Sequence, residues 1–253
     1  MRPLRRAGAV IFDCDSTLST IEGIEVLARE HASEIGRLTE AAMRGEVPLE
    51  DVYGRRLDLV RPTRSDLVAL GATYVDSLVP DAREVVAGLR ASGIVVRVLS
   101  GGLRPAVVHV AAALGIADAD VAAVDVVLGA DGAWCGFDAA SPLARAHGKA
   151  AVAGRWRAEL CPPVMLVGDG ATDLEAAAVV DTFIAYAGVA DRPHVTAAAD
   201  AVVRSRSLAP VLALARAGVP PDDPTHRATF ERGLSLLDDE TRERITRERD
   251  DER

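Results

Sequence analysis

The sequence predicts an α/β fold, a Rossmann-like parallel sheet with helices on both faces and a small helical domain inserted after the first strand. Three observations carry that expectation. Short apolar runs alternate with helical patterns, as in parallel sheets covered on both sides. Several runs end on a carboxylate, a hydroxyl or glycines, where open α/β sheets form their binding crevice. Residues 19–79 interrupt the alternation with helical spacing alone.

Taken in order, Gly8–Phe12 (GAVIF) is the first strand and stops at Asp13. Ile21–His31, Ser33–Arg44, Leu49–Val60 and Ser65–Leu78 are helical stretches, broken at Gly45, Pro48 and Pro62. A helix over Asp81–Ser92 leads to a strand at Ile94–Leu99, then to the glycine-rich turn Ser100-Gly101-Gly102 and a helix over Arg104–Leu114. Val121–Phe137 reads as a hairpin about Ala130-Asp131-Gly132. A helix over Ala150–Leu160 precedes the strand Val164–Val167, which closes on Gly168-Asp169-Gly170. Thr172–Val179 is helical, and Thr182–Tyr186 and Ala201–Val203 are strands. The expected division is a core of residues 1–18 and 80–215, a helical cap domain of 19–79, and a C-terminal extension of 216–253. That extension is expected to be a solvated helix or partly disordered. Pro220-Pro221-Asp222-Asp223-Pro224 breaks the chain, and Ile245 is the only large apolar residue from Asp238 onward.

Composition narrows the function. The 253 residues are 49% hydrophobic and 4% aromatic, with a net charge of −9. A surface of that sign disfavours nucleic acid, though a local cation and backbone N–H groups can still hold a small anion. Cys14, Cys135 and Cys161 form neither a disulfide framework nor a zinc pattern. No apolar run reaches membrane length. The basic start, Met1 to Arg6, meets Asp13 and Asp15 too soon for a signal peptide, so a cytoplasmic location is expected.

The chemistry concentrates at strand ends. Asp13 and Asp15 follow the first strand, where the chain turns and both can face one crevice, one as nucleophile and one as acid and base. Asp169 caps another strand, and Asp173 lies one helical turn beyond it on the same face. So many carboxylates call for a hard cation, and Mg²⁺ suits oxygen donors beside a phosphate. Helix capping by Asp169 and Thr172 is the simpler alternative. Ser100, Gly101 and Gly102 can bind phosphate oxygens at a helix start, or merely make a tight turn. Lys149 is the only lysine and starts a helix, an unfavourable end for a cation unless it faces an anion.

The series Asp13-x-Asp15-Ser16-Thr17, Ser100, Lys149 and Gly168-Asp169-Gly170-x-x-Asp173 resembles the haloacid dehalogenase superfamily from about Ala9 to Ala215. Within it the chain is similar to the phosphoserine phosphatase family, through Glu22, Met43-Arg44-Gly45 and Arg56. The resemblance implies Mg²⁺-dependent hydrolysis of a small phosphomonoester, O-phospho-L-serine, through a phosphoaspartate on Asp13. It makes Asp15 the acid and base, and places Ser100, Gly102 and Lys149 on the phosphoryl oxygens, with Gly101 in the same loop. It assigns the metal to Asp13, the Asp15 carbonyl and Asp169, with Asp173 orienting them. It gives Glu22 the substrate ammonium, Arg56 the carboxylate, Met43 the pocket wall and Thr172 a hydrogen bond near the substrate. Two departures are Leu49, where some members carry phenylalanine, and Thr172, where several carry asparagine. Another small phosphomonoester, or phosphotransfer to an alcohol, is the alternative. Oligomeric state is not legible in the sequence.

Overall fold

The four apolar residues Ala9–Phe12 form a fully buried strand, β1, at the centre of the molecule. This computed structural model describes residues 4–35, 37 and 49–251. Further along the chain lie β2 (Val95–Leu103), β3 (Val121–Val124), β4 (Val126–Leu128), β5 (Trp134–Phe137), β6 (Val164–Gly168), β7 (Thr182–Tyr186) and β8 (Ala201–Val203). Six of them make a parallel sheet in the order β3-β2-β1-β6-β7-β8, with β4 and β5 a separate antiparallel pair. Alternate residues serve opposite faces, as the period of a strand requires. Val10, Phe12, Val98 and Val167 enter one buried cluster, while Ala9, Ile11, Leu99 and Leu166 enter another. The expected hairpin is therefore only β4–β5, because Val121–Val124 just before it is the sheet's edge strand. Ser100-Gly101-Gly102 is not a turn either. The strand continues through it to Leu103 with a register shift after Leu99, which re-aims the backbone at the sheet's edge.

The helices of the core are α4 (Ala82–Ala91), α5 (Arg104–Ala113), α6 (Gly148–Glu159), α7 (Ala171–Ala176), α8 (Pro193–Thr196) and α9 (Ala209–Ala215). Before them come α1 (Gly23–Leu27), α2 (Leu49–Val60) and α3 (Arg64–Asp76), in the insertion. A complete capping box stops α3 at its start. Thr63 Oγ1 accepts from the Asp66 N–H, and the Asp66 carboxylate accepts from the Thr63 N–H. The insertion leaves and rejoins the core at one place, where Ser19 bridges Leu78 and the Val79 N–H donates to the Leu18 carbonyl at 3.0 Å.

Beyond Pro220, α10 (Pro224–Ser235) and α11 (Asp239–Asp251) follow. Where a solvated extension was expected, Phe230, Leu237 and Ile245 join the main apolar cluster with α9. The reason lies in small residues: Gly233 allows α10 to reach the Ala209 carbonyl, and Gly218 receives Ile245. Among the described residues no helix is long and apolar enough to cross a membrane.

Candidate active site

The order of the sheet fixes where a site can form. The chain runs outward from β1 to β2 and β3, then returns to β6 on the other side of β1, so the carboxyl ends of β1 and β6 flank the switch point. Asp13 follows β1, and its N–H donates to the Val167 carbonyl of β6 at 2.9 Å. Asp169 follows β6. Around these ends is a cavity of about 310 Å³ lined by side chains from the core and the insertion alike.

At its base, Lys149 Nζ lies 2.8 Å from Asp13 Oδ1 and 2.8 Å from Asp173 Oδ1. All three are buried. Asp173 Oδ2 accepts from the Gly170 N–H at 3.0 Å, which holds the carboxylate across the start of α7. Burial pushes the Asp13 carboxyl well above its usual range, Asp173 adds to that, and Lys149 opposes it. For Lys149 burial acts to lower the ammonium's value, but Asp13 and Asp173 outweigh it and the net shift is upward. The lone lysine therefore remains charged at the floor of the cavity, between the Asp13 and Asp173 carboxylates.

Asp15 is held differently. Its Oδ1 accepts from the Gly23 N–H at 2.7 Å and from the Tyr74 hydroxyl at 2.5 Å. Ser100 Oγ lies 3.3 Å from Oδ2 and accepts from the Gly102 N–H at 2.9 Å. Burial raises the Asp15 carboxyl, only partly countered by the Tyr74 hydrogen bond. The turn that swings Asp15 away from the strand line passes through Ser16, whose φ of 51° is left-handed. Ser16 Oγ ties that turn to Glu22 at 2.7 Å.

Asp169 accepts from Thr17 Oγ1 at 3.2 Å and pairs with the Arg192 guanidinium, which also reaches Glu22 at 3.5 Å. Carboxylate oxygens of Asp13, Asp169 and Asp173 all lie within 4.8 Å of one another. A buried, all-oxygen set of this kind matches the donor preference of Mg²⁺, so these residues fit a hard divalent cation. Asp173 spends its two oxygens on Lys149 and Gly170 and Asp169 its two on Thr17 and Arg192, so a cation at Asp169 would take the place of the Arg192 guanidinium.

The structure thus brings together most of the residues singled out from sequence. Asp13, Asp15, Glu22, Arg56, Gly101, Gly102, Lys149, Asp169 and Thr172 line the cavity. Ser100 and Asp173 lie just beneath it, fully buried. Met43 lies outside the described residues. Sequence reasoning missed Arg192, Tyr74 and Tyr53, and gave Thr17 a place in the first motif but no role. Arg192 lies in the segment that follows β7, so its place beyond a strand's carboxyl end was the available signal. Tyr53 and Tyr74 are two of only three tyrosines. Tyr53 donates to the Gly101 carbonyl at 2.9 Å, pinning α2 to the end of β2.

The model of the haloacid dehalogenase-like hydrolase family matches residues 10–178. A phosphoserine phosphatase of Rattus norvegicus is 37% identical over 192 residues, covering 75% of this chain and 85% of the rat protein. A chloroplastic phosphoserine phosphatase of Arabidopsis thaliana is 39% identical over 201 residues, covering 78% and 68%. The crystal structure of a phosphoserine phosphohydrolase-like protein from Francisella tularensis superimposes with a TM-score of 0.67 at 25% identity, covering 78% of this chain and 95% of that one.

Proposed function

The chain belongs to the haloacid dehalogenase-like hydrolases, and from that premise we propose that it hydrolyses O-phospho-L-serine to L-serine and phosphate through a phosphoaspartate on Asp13. The observation that carries this reading is the convergence of Asp13, Asp15, Lys149 and Asp169 on one cavity at the switch point. The phosphoserine phosphatase relatives supply the substrate, and the cavity is chemically suited to it. Glu22 offers an anion to the ammonium, and Arg56 a fork-shaped cation to the carboxylate.

In the mechanism, Asp13 attacks phosphorus in line with the departing serine oxygen, and Asp15 gives that oxygen a proton. Asp15 then takes a proton from the water that attacks the phosphoaspartate. Lys149, Ser100 and the N–H groups of Gly101 and Gly102 oppose charge on the phosphoryl oxygens, the main task of protein groups in phosphoryl transfer. Mg²⁺ held by Asp13, the Asp15 carbonyl and Asp169, and oriented through Asp173, would supply further positive charge and fix the phosphate's orientation. Thr172 lies at the rim, within reach of the substrate. Residues 19–79 act as a cap that excludes bulk water and reads the zwitterion. The work is that of a cytoplasmic enzyme acting on a small metabolite.

Phosphate release from O-phospho-L-serine tests this directly. Asp13→Asn is expected to abolish turnover, and EDTA to abolish it reversibly on restoring Mg²⁺. Full activity of the Asn variant would remove Asp13 from the role of nucleophile. Arg56→Ala is expected to cost phosphoserine hydrolysis far more than hydrolysis of an aryl phosphate, whereas equal losses would point to another phosphomonoester.

A further inference from the structure

Within the insertion, α3 is fastened to the core. Its Leu70 and Tyr74 share one buried cluster with Val10 and Phe12 of β1. It also packs on α5 so closely that a Cβ at Gly71 would lie 2.6 Å from the His109 ring. Tyr74 is fully buried and is absent from the cavity lining. Its hydroxyl donates to Asp15 Oδ1 at 2.5 Å, and the Gly23 N–H donates to the same oxygen at 2.7 Å. Residue 23 must be small for this to happen, since a Cβ there would lie 1.9 Å from the Tyr74 hydroxyl. Two donors on Oδ1 leave Oδ2 on the opposite side, 3.3 Å from Ser100 Oγ and beside Gly102 at the cavity wall.

We propose that Tyr74 is a positioning residue that grips Asp15 by Oδ1, so that Oδ2 is the oxygen that exchanges the catalytic proton. The proposal rests on the acid and base role given to Asp15 above. In the first half-reaction an Asp13 oxygen bonds to phosphorus, the bond from phosphorus to the serine oxygen breaks, and that oxygen takes the proton from Oδ2. In the second, water oxygen bonds to phosphorus and its proton passes to Oδ2. The bond from phosphorus to Asp13 then breaks, its electron pair restoring the carboxylate. Both transfers need Oδ2 within hydrogen-bond reach of the reacting oxygen, and a carboxyl free to rotate about its stem would meet that condition only part of the time.

The test is Tyr74→Phe, which keeps the ring and removes the donor. With O-phospho-L-serine, kcat is expected to fall roughly 10- to 100-fold with KM little changed, a part of the roughly 10²–10⁴-fold that a positioned proton donor contributes. With 4-nitrophenyl phosphate the leaving group departs without a proton, so the first half-reaction keeps its rate while water attack slows. Stopped-flow is then expected to show a nitrophenolate burst approaching one equivalent per enzyme, larger than that of the wild type. Equal losses on both substrates with no enlarged burst would mean simple structural support and would overturn the proposal. So would wild-type kinetics in a setting where Asp15→Asn is inactive. An active Asp15→Asn would instead reject the underlying role of Asp15. Should Tyr74→Phe fail to fold, Gly23→Ala displaces the hydroxyl from Oδ1 and is expected to give the same burst.

Discussion

Asp13 and Asp15 are buried at a cost the fold has to carry. Burial raises both carboxyls above their ordinary range, so the folded chain holds these protons more tightly than the unfolded one does. A raised folded value means stability that is fully present below the unfolded carboxylate value, about 4, and lost as pH rises through the folded values. In EDTA, the melting temperature is therefore expected to fall as pH climbs from about 4 toward neutrality. Asp13→Asn should flatten that fall, and a melting series that shows the same slope in both proteins would assign the loss to other groups. Lys149 is the partner that makes the burial tolerable, through its contacts with Asp13 and Asp173 at 2.8 Å. Lys149→Met is expected to lower kcat by roughly 10²–10³-fold, the scale of removing one preorganised donor to a developing charge. The steady-state rate at saturating O-phospho-L-serine measures it. At this scale the sequence was informative wherever chemistry needs a rare residue at a strand end, as with Asp13, Asp169 and the single lysine. It was silent on Arg192 and Tyr74, whose partners lie far away in sequence and meet them only through tertiary closure.

Among the elements, α3 ties the described part of the insertion to the core. Its capping box and its contact with α5 act at different levels, one local and one tertiary. Thr63→Ala removes the cap and is expected to cost about 1 kcal/mol, read from the denaturant midpoint. Gly71→Ala should cost about 1–3 kcal/mol by overpacking, because the new Cβ meets the His109 ring rather than a flexible side-chain tip. If Gly71→Ala were neutral, the α3–α5 contact would be looser than its geometry implies. The main strands and helices were legible because an apolar run such as Val164–Val167 and a helical run such as Leu49–Val60 carry their own period. The strand that continues through Ser100-Gly101-Gly102 was not, since two glycines and a serine read locally as a turn. Only pairing with β3 on either side of the register shift extends it to Leu103. The edge strand Val121–Val124 was absorbed into a hairpin for a similar reason, as four small apolar residues do not announce which sheet they join.

For the molecule as a whole, the C-terminal extension reaches the place where the insertion rejoins the core. Residues 18–19 and 78–79 are the two chain crossings between insertion and core, and Asp81 follows at the start of α4 with a left-handed φ of 65°. Arg232 of α10 pairs with Asp81 Oδ1 at 2.7 Å, and Ser207 donates to its other oxygen. The Leu208 N–H reaches the Pro80 carbonyl at 2.9 Å. The Arg232 pair thus clamps the crossing from the extension, while Ser207 and Leu208 hold it from the segment between β8 and α9. The extension's charge-rich sequence hid this, because Phe230 and Ile245 each sit between polar neighbours and find apolar surroundings only in the folded core, where α10 packs on both α9 and α4. Phe230→Ala empties a fully buried site and is expected to cost about 3–5 kcal/mol, a large share of the stability of a domain this size. Since Phe230 is not among the residues that line the cavity, the fraction that remains folded should retain the wild-type kcat on O-phospho-L-serine. Denaturant melts paired with active-site titration separate the two quantities. A lowered kcat per folded molecule would mean that the clamp also shapes the cavity, and an unchanged melt would mean that the extension rests on the core without supporting it.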